Sequence, residues 1–272
     1  MTGLRIHYQS STSFSHLPNY AAALRDHARA VLGDAAEVAF HGLPDRIYGD
    51  ALPGEVLRYP YLKHLVQDAA LEACVQAAAS GIDAFIIGSF SEPALQASRS
   101  AVDIAVLSLP ESALLTACSL AERFALITLS LRQSKRVDEV IDRHGLNARS
   151  AGCFDLGGRF SEADLEAAMV TPAVAAQVAQ AFEEAGRRAI EAGADLLIPA
   201  EGLLNEVIRA HGLRRIGAAV VMDAVGVVLL DAERMVRARR ILQLDVGREW
   251  SYPLASAALM AQVRGGNGLK DV

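Results

Sequence analysis

Cysteine is scarce and unpaired in this chain. Cys74, Cys118 and Cys153 form no CxxC pair and no metal-ligand spacing. An odd, scattered set excludes a disulfide-stapled secreted scaffold and a zinc-ribbon type of module, and no metal is expected. Cys74 and Cys118 fall in Ala-rich helical stretches, where a small buried hydrophobe is the expected role. The seven histidines show no HxxxH or HxH spacing. His27, His64, His144 and His211 lie in or beside charged helical stretches and are expected at the solvated surface, while His41 ends a strand. Positive charge is also in deficit, with 26 Lys+Arg against 32 Asp+Glu and a net charge of -6 spread without long blocks. That balance offers no footprint for a phosphate backbone or an anionic lipid surface, so neither nucleic acid nor membrane is an expected partner. The longest apolar run, Ala218 to Leu230, is interrupted by Asp223 and falls short of the roughly 18 to 20 residues of a spanning helix. No basic-then-apolar signal segment opens the chain, so the expected location is cytoplasmic.

What the chain does contain is an alternation of short apolar runs with Ala-, Leu- and Glu-rich helical stretches, the pattern of parallel β-α units. Strands are expected over Leu4–Tyr8, Glu37–His41, Ala84–Gly88, Ile104–Ser108, Phe124–Leu129, Arg149–Phe154, Leu196–Ala200 and Ala218–Met222. Helices are expected over Asn19–Leu32, Pro60–Ala79, Pro93–Ala101, Glu111–Ala121, Ser134–His144 and Ala173–Ala192, with Ser161 capping ahead of Asp164. Strands apolar throughout belong to sheets covered on both faces. The chain also repeats itself: Gly81-Ile82-Asp83-Ala84-Phe85-Ile86-Ile87-Gly88-Ser89 aligns without a gap on Gly193-Ala194-Asp195-Leu196-Leu197-Ile198-Pro199-Ala200-Glu201. Leu4–Tyr8 and Phe124–Leu129 form a second pair, each a strand followed by a Ser/Thr-rich loop. The expected fold is therefore α/β, with two pseudo-symmetric lobes, each a mostly parallel sheet flanked by helices, and a cleft between them. Lobe 1 spans 1–114 and lobe 2 spans 115–222. Residues 223–240 cross back to the first lobe, and 241–272 form an arm whose apolar residues either pack on a neighbour or end the chain flexibly.

Ligands of parallel sheets bind at the carboxyl ends of strands, where loops converge and helix N-termini present free N–H groups. That rule selects Ser10, Ser11, Thr12 and Ser13 after the first strand, and Ser89, Phe90, Ser91, Glu92 and Pro93 after the third. In the second half it selects Thr128, Ser130, Glu201, Gly202 and Asp223. Taken singly, each hydroxyl loop reads first as helix capping; together they describe a cleft of neutral donors suited to a small carboxylate or imide. Glu201 has two readings. It is a helix cap favoured by the dipole, or a partly desolvated carboxyl whose raised proton affinity suits acid-base work near neutral pH. Ser89 has no GxSxG elbow around it and no neighbouring base, so an ordinary hydrolase triad is not indicated. Tyr48, Tyr59 and Tyr61 surround a Pro/Gly-rich loop that either covers the cleft or forms an interface patch.

The order of these motifs resembles the aspartate/glutamate/hydantoin racemase superfamily, closest to its hydantoin-racemase branch. Ser11-Thr12 is similar to that branch's Asn-Ser-Thr loop, and Ile86 to Pro93 to its strand-Ala-Cys-Phe-Gly-Asp-Pro segment. Phe124 to Ser130 is similar to its Val-Val-Thr-Thr turn, and Val221-Met222-Asp223 to its last strand ending in Ile-Asp. The resemblance covers roughly Leu4 to Arg237. It implies a two-lobed enzyme without metal or organic cofactor, forming a homo-oligomer, with one cysteine from each lobe facing the carbon beside a carbonyl. In this chain those cysteines correspond to Ser89 and Glu201. A serine cannot mirror a thiolate, whereas Glu201 exchanges a proton readily. The expectation is one-sided acid-base chemistry (isomerase, lyase or decarboxylase) on a small carboxylate or cyclic imide, with Glu201 and Ser89 catalytic. The alternatives are an amide or imide hydrolase in which Glu201 activates water, and a non-catalytic small-molecule binder.

Overall fold

The computed structural model describes residues 3–269. Met1, Thr2 and 270–272, the last three of them the end of the expected C-terminal arm, lie outside the described residues. Among the described residues nine strands run in chain order: β1 Leu4–Ser10, β2 Ala36–His41, β3 Ala84–Gly88, β4 Ala105–Ser108, β5 Phe124–Thr128, β6 Ser150–Asp155, β7 Leu196–Pro199, β8 Arg215–Ile216 and β9 Ala219–Val221. The α-helices are α1 Pro18–Leu32, α2 Pro53–Val56, α3 Pro60–Ala79, α4 Leu95–Ala101, α5 Leu109–Leu120 and α6 Leu131–Arg143. They continue with α7 Glu162–Ala168, α8 Pro172–Glu191, α9 Gly202–His211, α10 Ala224–Leu242 and α11 Ala257–Gly266. Prolines open α1, α2, α3 and α8. A fixed φ and a missing N–H are harmless only at that first position, so each proline sets a helix start. Ser161 caps α7 in a reciprocal capping box with Asp164. Among the described residues no helix is long and apolar enough to cross a membrane.

Two sheets form, in the orders β2-β1-β3-β4 and β6-β5-β7-β9-β8, parallel except for the short β8–β9 pair. The second order repeats the first, strand for strand, and then adds β8. The duplication extends well beyond the nine residues of the sequence match. A single offset relates Pro60 to Pro172, Ala79 to Glu191, Gly81 to Gly193 and Ser89 to Glu201, so the whole helix-turn-strand unit recurs without a gap. Both glycines sit at positive φ, 77° and 93°, which a side chain would resist. At both turns an arginine at the start of the neighbouring strand, Arg5 in β1 and Arg123 just ahead of β5, closes the helix end. Arg5 donates to the carbonyls of Ser80 and Gly81 at 3.3 and 3.2 Å, and Arg123 donates to that of Ala192 at 3.1 Å.

The central strands β3, β5 and β7 are buried along their whole length, as doubly covered parallel strands require. One apolar cluster runs from Leu4 and Tyr8 through Phe124 and Phe182 to Val236, so the two lobes share a core. The helix after Met222, α10, crosses back and packs on α1, β3, β4 and α5. The expected lobe boundary near Leu115 falls inside α5. The C-terminal arm lies on the first lobe of its own chain. Arg248 donates to the carbonyls of Arg99 and Val102 at 2.6 and 3.0 Å, and Arg264 makes a two-pronged pair with Glu72 at 2.8 and 2.9 Å. Trp250, on this arm, remains 89% exposed.

Three local expectations need correction. His27 is buried, not solvated. Tyr20, Leu24, His27 and Ala28 form the inward stripe of α1, while Arg25, Asp26 and Arg29 on its other face supply the charge that made it look like a surface helix. His144 is also mostly covered, its Nε2 2.9 Å from the Glu92 carboxylate. Helix α4 starts at Leu95 rather than Pro93, because Glu92 and Ala94 on either side of the proline take φ of 50° and 56°. That left-handed turn swings Glu92 inward, where its carboxylate accepts from Ser108 and, at 2.9 Å, from Arg143.

Candidate functional site

The carboxyl ends of β1, β3 and β7 open onto a cavity of about 80 Å³. Of the residues expected at the site, Ser10, Ser11, Thr12, Ser89, Phe90, Ser91, Glu201 and Gly202 line it. Ser10 Oγ lies 2.9 Å from Thr12 Oγ1, and Ser89 Oγ lies 3.0 Å from Ser91 Oγ, so each loop carries a linked pair of hydroxyls. Register matches β3 to β7, so Ser89 and Glu201 hold matching points just past the ends of equivalent strands, Ser89 one residue after Gly88 and Glu201 two after Pro199. None of the three cysteines lines the cavity. Burial pushes the Cys74 thiol up to about 12, so it is an inert apolar group.

Thr128, Ser130 and Asp223 are not brought to this cavity. Thr128 occupies in lobe 2 the place of Ser10 in lobe 1, yet it is fully buried, with Oγ1 2.8 Å from Ser134 Oγ and donating to the Ser130 carbonyl at 3.2 Å. Ser130 stands at the N-cap of α6. Asp223 caps α10 through the Gly226 amide at 3.0 Å and belongs to a different cluster. There, buried His27 is held between two carboxylates, Nδ1 2.7 Å from Glu206 and Nε2 2.8 Å from Asp223. Asn205 bridges the same two acids. Burial alone would lower the His27 pKa, but Asp223 and Glu206 outweigh it and raise it to about 9.

Glu201 satisfies both of its readings at once. Its Oε2 accepts from the Leu204 amide at 3.0 Å, capping α9, while the carboxylate lines the cavity. Burial, reinforced by the negative charge of Glu162, pushes its pKa up to about 8 despite the Leu204 and Leu203 amides. Gly202 is fixed by Tyr20, whose phenol oxygen would lie 2.3 Å from a Cβ there, and Gly88 by the Tyr8 ring at 2.2 Å. Both close approaches let a buried tyrosine pack directly beneath a strand end.

Two elements of the cavity wall carry no sequence signal, Glu162 from the first turn of α7 and Gln133 and Arg136 from α6; a third, Pro53, Gly54 and Leu57, belongs to the Pro/Gly-rich loop between Tyr48 and Tyr59. The last of these comes from lobe 1 and is fastened to lobe 2 across the cavity. The Gly54 amide donates to Glu162 at 3.4 Å, and Arg136 donates to the Leu57 carbonyl at 3.3 Å. Of the tyrosines around this loop, Tyr48 is buried and donates to the Ser11 carbonyl, whereas Tyr59 and Tyr61 face solvent. Burial also raises the proton affinity of Glu162, only partly countered by the Gly54 amide and Arg136. Two acids and one guanidinium thus share a small, partly desolvated space with paired serine hydroxyls. Among the described residues there is no group of three or more His, Cys, Asp or Glu placed to hold a metal ion.

A family model described as Asp/Glu/Hydantoin racemase matches residues 17–199, a span that includes Ser89 and ends short of Glu201. A hydantoin racemase of Pseudomonas sp. (strain NS671) is 29% identical over 97 residues, which is 36% of this chain and 39% of that protein. Allantoin racemase from Klebsiella pneumoniae superposes with a TM-score of 0.73 at 21% identity, covering 93% of this chain and 94% of the other. Allantoin racemase from Pseudomonas fluorescens gives 0.72 at 20% identity, covering 93% and 97%. At such identities the structural likeness is one of fold.

Proposed function

Because the chain belongs to the Asp/Glu/hydantoin racemase family, we propose that it catalyses one-sided proton chemistry beside the carbonyl of a small carboxylate or cyclic imide, with Glu201 as the proton carrier. The observation that carries this reading is the inequality of the two equivalent strand ends. Both face one cavity, but Ser89 offers only a neutral hydroxyl, while Glu201 titrates at about 8. A carboxyl of that kind is mostly protonated at pH 7 and is matched to giving up its proton there.

Substrate would lie with its carbonyl oxygen toward the Ser89–Ser91 and Ser10–Thr12 hydroxyl pairs, whose donors stabilise the enolate as it develops. In a decarboxylation the carbon–carboxyl bond breaks and carbon dioxide leaves, the bond's electrons pass into the carbonyl as an enolate, the Glu201 proton closes the new carbon–hydrogen bond, and solvent returns a proton to Glu201. In an isomerisation the same carboxylate takes a proton from one carbon and returns it. Two-base racemisation by thiolates is not part of this reading, since no cysteine lines the cavity. Activation of water by Glu201 would instead leave oxygen from water in a product acid.

The test is incubation with small dicarboxylates and hydantoins in deuterium oxide. Deuterium is expected on the carbon beside the carbonyl, and Glu201→Gln is expected to abolish its incorporation while keeping ligand binding. Incorporation that survives in that variant, or oxygen-18 from labelled water in a product acid, would refute the assignment.

A further inference from the structure

Arg136 is half-buried on the cavity wall, and no carboxylate among the described residues pairs with it directly. Among the described residues it makes one hydrogen bond, from Nη1 to the Leu57 carbonyl at 3.3 Å, and no ion pair. A guanidinium carries a fork of N–H donors, so most of its capacity is unused. Other buried or half-buried arginines use their donors more fully. Arg99 sits on Glu111, Arg209 on Glu206 and Arg264 on Glu72, while Arg149 donates to the carbonyls of Cys118, Ala121 and Glu122, and Arg123 to those of Ser150 and Ala192. Removing a cation from water without partners is costly, and the cost is recovered when an anion or a full set of acceptors is supplied; Arg136 has one acceptor. Burial already weakens the hold of Arg136 on its charge, with Glu162 and Glu139 attracting it from beyond pairing distance and Arg132 opposing it. The neighbouring hydroxyl pairs, being neutral, cannot supply that anion.

We infer that Arg136 is the residue that reads the substrate, and that the site takes molecules bearing a free carboxylate in preference to neutral imides. This rests on the cavity being the substrate site and narrows its substrate class. A carboxylate accepts two parallel N–H bonds from a guanidinium, and Arg136 projects into the same space as Glu201 and Ser89. The anion is thus held on the α6 wall while the carbonyl meets the serine pairs. Arg136 acts here as a specificity residue and takes no part in proton transfer.

Hydantoin-5-acetate and 5-methylhydantoin differ in the required way, since only the first carries a carboxylate. Calorimetric titration of the full chain is expected to show the acetate binding about tenfold tighter or better, the scale of one charge-assisted pair. Arg136→Gln is expected to erase that preference while leaving 5-methylhydantoin binding unchanged, and Arg136→Lys to keep part of it. Equal binding of the two ligands, no binding of either, or a preference that survives in Arg136→Gln would overturn the inference. So would an equal loss for both ligands, which is what a role limited to fastening Leu57 predicts. Failure of Glu201 as proton carrier would appear separately, as isotope incorporation surviving in Glu201→Gln with the binding preference intact.

Discussion

Replacing Glu201 by glutamine is expected to make the protein more stable at alkaline pH while silencing it. The native state raises the Glu201 pKa from its ordinary 4.5 to about 8, so it binds that proton more tightly than the unfolded chain does. Stability linked to such a group is intact below pH 4.5 and declines as pH rises through 8. At about 1.4 kcal/mol per unit, the decline is about 1 kcal/mol at pH 5 and about 5 kcal/mol at pH 9. The larger figure is an upper bound, because water entering the cavity screens the carboxylate. Glutamine carries no charge, and its amide oxygen can still accept from the Leu204 amide that caps α9. It also relieves the repulsion with Glu162. Urea denaturation at pH 5, 7 and 9 should therefore show a variant that gains on the parent protein with each step, by at least about 2 kcal/mol overall. Parallel curves for the two proteins, or a variant less stable at pH 9, would refute the buried acid and the proton-carrier role built on it.

His27 titrates with the same sign. Its pKa is raised from 6.5 to about 9, so its stabilisation is full below pH 6.5 and is lost through pH 9, to the extent of about 3 kcal/mol. Comparing denaturation of Glu201→Gln with and without His27→Gln isolates this part, and an unchanged slope between pH 6.5 and 9 would count against the cluster. Gly202→Ala is expected to cost about 1 to 3 kcal/mol, by the overpacking of a Cβ placed 2.3 Å from the Tyr20 oxygen; an unaltered melting temperature would contradict the contact. Ser89→Ala is expected to lower kcat by roughly tenfold to a hundredfold through loss of an enolate donor, with pH dependence still set by Glu201, and steady-state kinetics across pH would check both statements.

Most of the scaffold was legible because fully covered parallel strands need continuous apolar runs, and helix starts carry prolines or caps. The expected strands Ala84–Gly88 and Phe124–Leu129 match the structure to within one residue. The antiparallel β8 has only two residues and so leaves no pattern. The site was only half legible. Residues at strand ends follow from topology, so Ser10, Ser89 and Glu201 could be named, but Arg136 and Glu162 reach the cavity from helix faces that look solvated in isolation. In Leu131-Arg132-Gln133-Ser134-Lys135-Arg136 nothing marks the last residue as different from the charges around it. Only the strap from Pro53 to Leu57 closing over α6 makes it so. Thr128 failed for the converse reason. It sits at the position equivalent to Ser10, but Ser134 offers it a partner within its own lobe and turns it away from the cavity.

That broken symmetry bears on stereochemistry. The scaffold duplicates strand order, turn glycines and even the arginines that close the helix ends, so the cavity has two equivalent sides. Its chemistry is not duplicated. The lobe 1 side presents hydroxyls from Ser10, Ser89 and Ser91, whereas the lobe 2 side presents Glu201, with Thr128 withdrawn. A planar enolate held between them meets donors to its oxygen on one side and a transferable proton on the other. Protonation from a single face yields a single enantiomer. A prochiral disubstituted malonate that decarboxylates in this cavity should therefore give one optical isomer, carrying one deuterium when the reaction runs in deuterium oxide. Introducing a second proton carrier by Ser89→Cys is expected to lower the enantiomeric excess, because the opposite face then also meets an acid. A racemic product from the parent protein would mean that the two sides are chemically equal after all, and the assignment of distinct roles to Ser89 and Glu201 would fall with it.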